Sequence, residues 1–192
     1  TKVLPTFRPD KAMNIEKDGF AEYIKEAGVF SFTELVRWLE SRARYFNQNG
    51  CRLSDHSLES VPYLIGDASA AFEKRMSGKT LTQEETEVFK TAVLSECAKI
   101  YSRLGWTMQL HIGAMRNNNS KMFKSLGADT GFDSINDLCI AEKLSGLLDG
   151  INSADALPKT ILYTLNPKDN YVLGSMIGNF QSGPICGRLQ FG

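Results

Sequence analysis

Residues 106–112, WTMQLHI, concentrate chemical potential in one short segment. In an extended strand successive side chains point to opposite faces, so Trp106, Met108, Leu110 and Ile112 share one side and Thr107, Gln109 and His111 the other. In a barrel the apolar set would pack against helices and the polar set would face the barrel axis. His111 then stands at the C-terminal end of its strand, where barrel enzymes hold their catalytic groups. Met115, Arg116 and the run Asn117, Asn118, Asn119 follow at once.

Other segments end in the same manner. Arg8-Pro9-Asp10 closes residues 3–8, Asp55-His56 closes residues 51–56, and Asn166-Pro167 closes residues 160–166. Thr6 and Arg8 share a strand face, as do Thr164 and Asn166. A polar strand end costs free energy unless it is paired. A functional rim accounts for all four ends together. Bland alternatives stand beside it. A lone histidine at a strand end is commonly a structural, hydrogen-bonded residue, Arg8 could pair with Asp10 or Asp55 with no ligand present, and asparagines suit turns because they tolerate left-handed backbone. Spacing alone therefore stops at an α/β enzyme of unknown substrate.

The elements that must position these groups alternate between short apolar strands and amphipathic helices. Strands are expected over residues 3–8, 51–56, 106–112, 160–166 and 188–191. Helices are expected around residues 20–27, closed by Gly28, from Thr33 to a stop at Gly50, and over residues 67–76. Thr82-Gln83-Glu84-Glu85 is a capping box. Behind it Phe89, Val93, Cys97, Ile100 and Leu104 form one stripe, ended at Gly105. Residues 117–131 read as a polar loop. Asp133 or Ser134 is the expected cap of a helix carrying Leu138, Ala141, Leu144, Leu148 and Ile151. A last helix covers residues 170–181 and ends near Gly183-Pro184. Such alternation is the signature of a parallel α/β fold. It fits a doubly wound sheet or a (β/α)8 barrel, in one domain over residues 1–192, with a helical insertion over about residues 60–104.

Composition removes several function classes. Lysine plus arginine, 22, equals aspartate plus glutamate, 22, so the basic stripe of a nucleic-acid binder is not expected. No apolar run approaches the roughly 20 residues of a membrane span. The opening, TKVLPTFRPD, has no apolar stretch of the signal-peptide kind and no Met, from which an incomplete N-terminus is expected. Cys51, Cys97, Cys139 and Cys186 lie far apart without a C-x-x-C pair, so reduced thiols in a cytoplasmic protein are expected. Ser77-Gly78-Lys79-Thr80 resembles a phosphate loop only superficially, because Glu73 stands where its first glycine belongs. No G-x-G-x-x-G follows the first strand, which argues against dinucleotide binding.

Six segments resemble the uronate isomerase family, in the family's order: LPTFRPDKA (4–12), GCRLSDHSLE (50–59), WTMQLHIGAMRNNN (106–119), LGADTGFDSI (126–135), LPKTILYTLNPKDN (157–170) and MIGNFQ (176–181). HIGAMRNNN followed by DTGFDSI is the specific pairing. The resemblance implies an amidohydrolase-type (β/α)8 barrel, of which about five parallel strands are present. It implies aldose–ketose isomerisation of hexuronic acids, D-glucuronate to D-fructuronate and D-galacturonate to D-tagaturonate, by proton transfer between C2 and C1. That chemistry needs a proton relay, an electrophile for the enediolate oxygen and a cation for the substrate carboxylate.

Carried over by position, His111 is a metal-site or substrate-hydroxyl residue, Arg116 and Arg8 bind the sugar acid, and Asp55 and His56 stand at the rim as catalytic candidates. The family's divalent metal, expected to be zinc, rests on a His-x-His pair and a late aspartate. This chain has histidines only at 56 and 111, so His111 alone is a candidate ligand and the metal is not expected to be held in the family manner. A central fragment, inactive alone, is the expectation, with a small-molecule hexuronate as partner and self-association through open strand edges. A metal-dependent amidohydrolase-class hydrolase and a non-catalytic sugar-acid-binding chain are the alternatives.

Overall fold

The computed structural model describes residues 3–181 and 186–192. The expected helix end near Gly183-Pro184 lies outside the described residues. In chain order the elements are helices α1 (Asp10–Met13), α2 (Phe20–Glu26) and α3 (Phe32–Gln48), strand β1 (Leu53–Leu58), helices α4 (Ala68–Met76) and α5 (Gln83–Leu104), strands β2 (Thr107–Ile112) and β3 (Ala114–Met115), helix α6 (Ser120–Leu126), strand β4 (Ser134–Ile135), helix α7 (Ala141–Ser153), strand β5 (Lys159–Thr164), helix α8 (Asn170–Asn179) and strand β6 (Leu189–Phe191). The main sheet runs β1-β2-β5-β6, all parallel. It forms an arc of an α/β barrel and does not close. No described helix is long and apolar enough to cross a membrane.

The pleat sorts the side chains as β2 foretells. Met108, Leu110 and Ile112 are buried toward the helices, while Thr107, Gln109 and His111 face the open side. Register extends this sorting across the sheet. Asp55, Gln109, Ile161 and Gln190 make one row, and Ser57, His111 and Tyr163 the next. Behind the sheet, Phe7, Tyr101 and Trp106 form an aromatic cluster with centroids 5.7–6.2 Å apart. Such pairs contribute about 0.5–1.5 kcal/mol each beyond their buried area. Trp106 can be fully buried there because its indole N–H donates to Asn47 Oδ1 at 2.9 Å.

The connection from β1 to β2 contains α4 and α5. Asp67 caps α4 by accepting from the Ala70 N–H. The box at Thr82 forms in full, with Glu85 accepting from the Thr82 N–H at 2.7 Å and Thr82 Oγ1 accepting from the Glu85 N–H at 3.1 Å. Phe89, Val93, Cys97 and Ile100 are buried along α5, as their spacing requires.

Several expected elements differ. Residues 3–8 are not a strand: only Phe7 bridges, in parallel, to Ser54. Pro5 offers no N–H to a ladder, and Val3 and Leu4 are exposed. Strand β1 begins two residues later than expected, at Leu53. The supposed loop over 117–131 contains α6, capped by Asn119 Oδ1, which accepts from the Met122 N–H at 3.1 Å. Neither Asp133 nor Ser134 caps a helix. Asp133 is taken by Arg116 and the Asn117 N–H, Ser134 lies in β4, and α7 starts later, after Ile140, without a side-chain cap.

Candidate active site

Arg8, Asp55, His111 and Tyr163 meet on the open face of the sheet. Phe7 fixes Arg8: its N–H donates to Leu53 O and its carbonyl accepts from the Asp55 N–H, at 3.2 and 2.9 Å. With Phe7 buried behind the sheet, alternation puts Arg8 in front. Its Nε lies 3.2 Å from Asp55 Oδ2, and its Nη2 donates to Asp10 Oδ2 at 3.2 Å. The side chain is half-exposed, so the pairs orient it more than they stabilise the fold. Burial raises the Asp10 carboxyl above the usual aspartate range, against the pull of Arg8.

On β2, His111 Nε2 stands 3.1 Å from Asp55 Oδ1, close enough for attraction but not aligned as a hydrogen bond. Its ring stacks on Tyr163, with centroids 4.3 Å apart and planes at 10°. The Tyr163 hydroxyl donates to Gln109 Oε1 at 3.0 Å. A cavity of about 220 Å³ opens here, lined by Ser57, His111, Arg116, Tyr163 and Thr164 among others.

Arg116 reaches this cavity because the chain turns sharply after β2. Gly113 takes φ +96, a backbone that side chains resist, and sends the chain into β3. Nη1 of Arg116 then donates to Asp133 Oδ2 at 2.6 Å. Asn117, at φ 55, donates its N–H to Asp133 Oδ1 at 2.8 Å. These two donors, the Asn117 N–H first, hold the Asp133 carboxyl below the usual aspartate range. A second cavity, of about 410 Å³, shares Ser57 and Arg116 with the first. Arg116 therefore stands at their junction.

Two expected rim residues are placed elsewhere. His56 is on the other face of β1, fully buried, with its ring centroid 5.7 Å from that of Tyr101. Burial first, then the charge of Arg8, lowers its pKa to about 3. Among the described residues, it lines neither the cavity at His111 nor the one it adjoins at Arg116. Asn166 is absorbed by structure: its Nδ2 donates to Asn136 O and Asp137 Oδ1, and its Oδ1 accepts from the Lys168 N–H. The sequence reading missed Tyr163, whose register opposite His111 puts it on the open face. It paired Thr164 with Asn166 as the facing set, one residue out of phase.

The described residues do not by themselves fit a metal. No group of three His, Cys, Asp or Glu side chains comes together among them. Asp55 and His111 offer two donors, whereas a catalytic zinc takes three protein ligands. All four cysteines are free, and burial pushes the Cys97 thiol up to about 12, which makes it inert.

The family model for glucuronate isomerase matches residues 1–192. The chain belongs to the glucuronate isomerase family. Curated relatives agree: it is 50% identical over 200 aligned residues to the uronate isomerase of Caldanaerobacter subterraneus subsp. tengcongensis. It is 49% identical over 199 to that of Clostridium perfringens. These alignments take in 100% and 99% of this chain but 43% of each relative, so the chain spans less than half the length of the isomerases it matches. Among solved structures, the uronate isomerase of Thermotoga maritima superposes with a TM-score of 0.88 at 32% identity, over 98% of this chain and 42% of that one. The glucuronate isomerase of Caulobacter crescentus gives 0.84 at 26%, over 98% and 40%. The expected family and the expected partial α/β barrel are both borne out.

Proposed function

We propose that this chain carries part of the active site of a uronate isomerase, which interconverts the aldose and ketose forms of a hexuronate. The observation that carries the reading is the family match along all 192 residues. The geometry supports it. A proton must leave C2 and arrive at C1 while the hydroxyl and carbonyl exchange places, which calls for groups that give and take protons close to the sugar. Asp55 and His111, 3.1 Å apart on the open face, are assigned to the substrate hydroxyls. Arg8 and Arg116 are assigned to the carboxylate, since guanidinium binds it through two parallel hydrogen bonds. No substrate role is assigned to His56. A divalent metal, expected to be zinc, would polarise the carbonyl oxygen when bound; His111 is the one residue here assigned toward it.

The chain acts as one domain in this reading, with α4 and α5 as a helical insertion. Exposed Leu165, Tyr171 and Phe191 support self-association, and four free thiols support a cytoplasmic location.

The test is isomerase activity on D-glucuronate and D-galacturonate, with added zinc or manganese, for the complete gene product beside the 192-residue chain. The complete product is expected to convert at least one sugar and the chain alone neither. Turnover by the chain alone would overturn the assignment of a partial site. Silence from both would leave the family without the reaction.

A further inference from the structure

We infer that Tyr163 is a positioning residue for His111, and that Gly192 leaves room for it to act. The inference rests on the isomerase reading for its kinetic consequence but not for its structural one. Tyr163 and His111 are opposite each other on adjacent parallel strands, β5 and β2. Their ring planes are nearly parallel, 10° apart, with centroids at 4.3 Å. The phenol is restrained at its far end, where its hydroxyl donates to Gln109 Oε1 at 3.0 Å. Gln109 lies two residues before His111 on the same face, and its Nε2 reaches Ser54 O at 3.4 Å. On the β6 side, a Cβ built on Gly192 would collide with the Tyr163 ring atoms Cε1, Cζ and Cδ1. The Gly192 N–H donates to Leu162 O at 3.0 Å, which ties that backbone to β5.

The tyrosine is thus confined by Gln109 at its tip, by a side-chain-free backbone on one flank and by the imidazole it covers. His111 is correspondingly limited. It is bounded by Tyr163 on one ring face and by Asp55 at Nε2, which selects one orientation of a half-exposed side chain. An imidazole that must meet a substrate hydroxyl gains from being held before the substrate arrives.

Two measurements separate the stack from the reaction. In the 192-residue chain, which has only two histidines, proton NMR reads the His111 ring protons directly. They are expected upfield in the wild type, shielded by the phenol, and near free-imidazole positions in Tyr163→Leu. Tyr163→Phe keeps the ring and should keep the shielding. Gly192→Ala, which leaves both side chains in place, should disturb it by pressing on the flank of the Tyr163 ring. In the complete gene product, Tyr163→Leu should lower kcat about tenfold with KM little changed, while Tyr163→Phe stays within about threefold of wild type. Unshifted His111 signals in a folded wild-type chain would overturn the stack. Normal kcat in a folded Tyr163→Leu would overturn the positioning role, and so would equal losses in the leucine and phenylalanine variants, which would move the effect to the hydroxyl. If the wild-type product has no isomerase activity, the isomerase reading fails while the NMR outcome still decides the stack.

Discussion

The two histidines differ in almost everything except residue type. His111 is half-exposed on the open face, with Asp55 at 3.1 Å and Tyr163 stacked against it. His56 is completely buried behind the sheet, and neither of its ring nitrogens finds a hydrogen-bond partner among the described residues. Their strands are neighbours, and the residue opposite His111 in β1 is Ser57, one position from His56. A single step along a pleated strand therefore separates a group available for chemistry from one sealed in the core. A histidine earns a functional assignment from the parity of its strand position, and only then from its chemistry.

The largest effect expected from breaking this contrast is on turnover. His111→Gln in the complete gene product should lower kcat/KM by about 10² to 10⁴, the range for loss of a proton-transferring side chain. Its thermal midpoint should stay close to wild type, because no buried contact is lost. His56→Leu should do the reverse, retaining activity near neutral pH. A large loss in His56→Leu with the fold intact, or none in His111→Gln, would dissolve the distinction.

Next in size is the response to acid. His56 binds a proton in the unfolded chain near pH 6.5 but in the folded chain only near pH 3. Between these values the unfolded state holds more protons, so stability falls as pH falls, by about 1.4 kcal/mol per pH unit. At pH 5 the accumulated loss is roughly 2 kcal/mol relative to neutral pH. Urea unfolding at pH 7 and pH 5 should reveal this loss in the wild type and remove that share of it in His56→Leu. Identical pH dependence in the two proteins would mean that His56 is not held neutral by burial.

How far these facts can be read from the sequence depends on each strand's pattern. In β2, apolar and polar residues alternate cleanly, so the facing of His111 follows from the pleat. In β1, LSDHSL, the two leucines stand five apart and point to opposite faces, leaving no apolar series to say whether Asp55 or His56 faces the helices. In β5, KTILYT, adjacent Ile161 and Leu162 are both apolar, although Ile161 shares the open-face row of Gln109 and Leu162 is buried on the other face. That erased the parity that would have identified Tyr163. Helix ends fared better where local chemistry fixed them, as at Thr82 and Asp67. In the stretch from Asn117 to Asp133, the cap at Asn119 is a local signal for α6 hidden within an asparagine run that equally suits a turn, whereas Asp133 is claimed by Arg116, a pairing 17 residues apart that no local signal records.

The smallest expected effect sharpens the buried side of the comparison. Tyr101 lies against His56 with its ring tilted by 49°, and its hydroxyl, like the histidine nitrogens, has no partner among the described residues. If burial, aided by the charge of Arg8, keeps His56 neutral, removing that hydroxyl should matter little. Tyr101→Phe preserves the ring contacts with Trp106 and Phe7 and takes away a polar atom that completes no protein hydrogen bond. Its stability at pH 7 should lie within about 1 kcal/mol of wild type. The acid dependence between pH 7 and pH 5 should also be unchanged, because the apolar enclosure of His56 is the same. A flattened dependence would mean that Tyr101 exchanges a hydrogen bond with the imidazole in solution, and that His56 owes its neutrality to a partner as His111 owes its orientation to Tyr163.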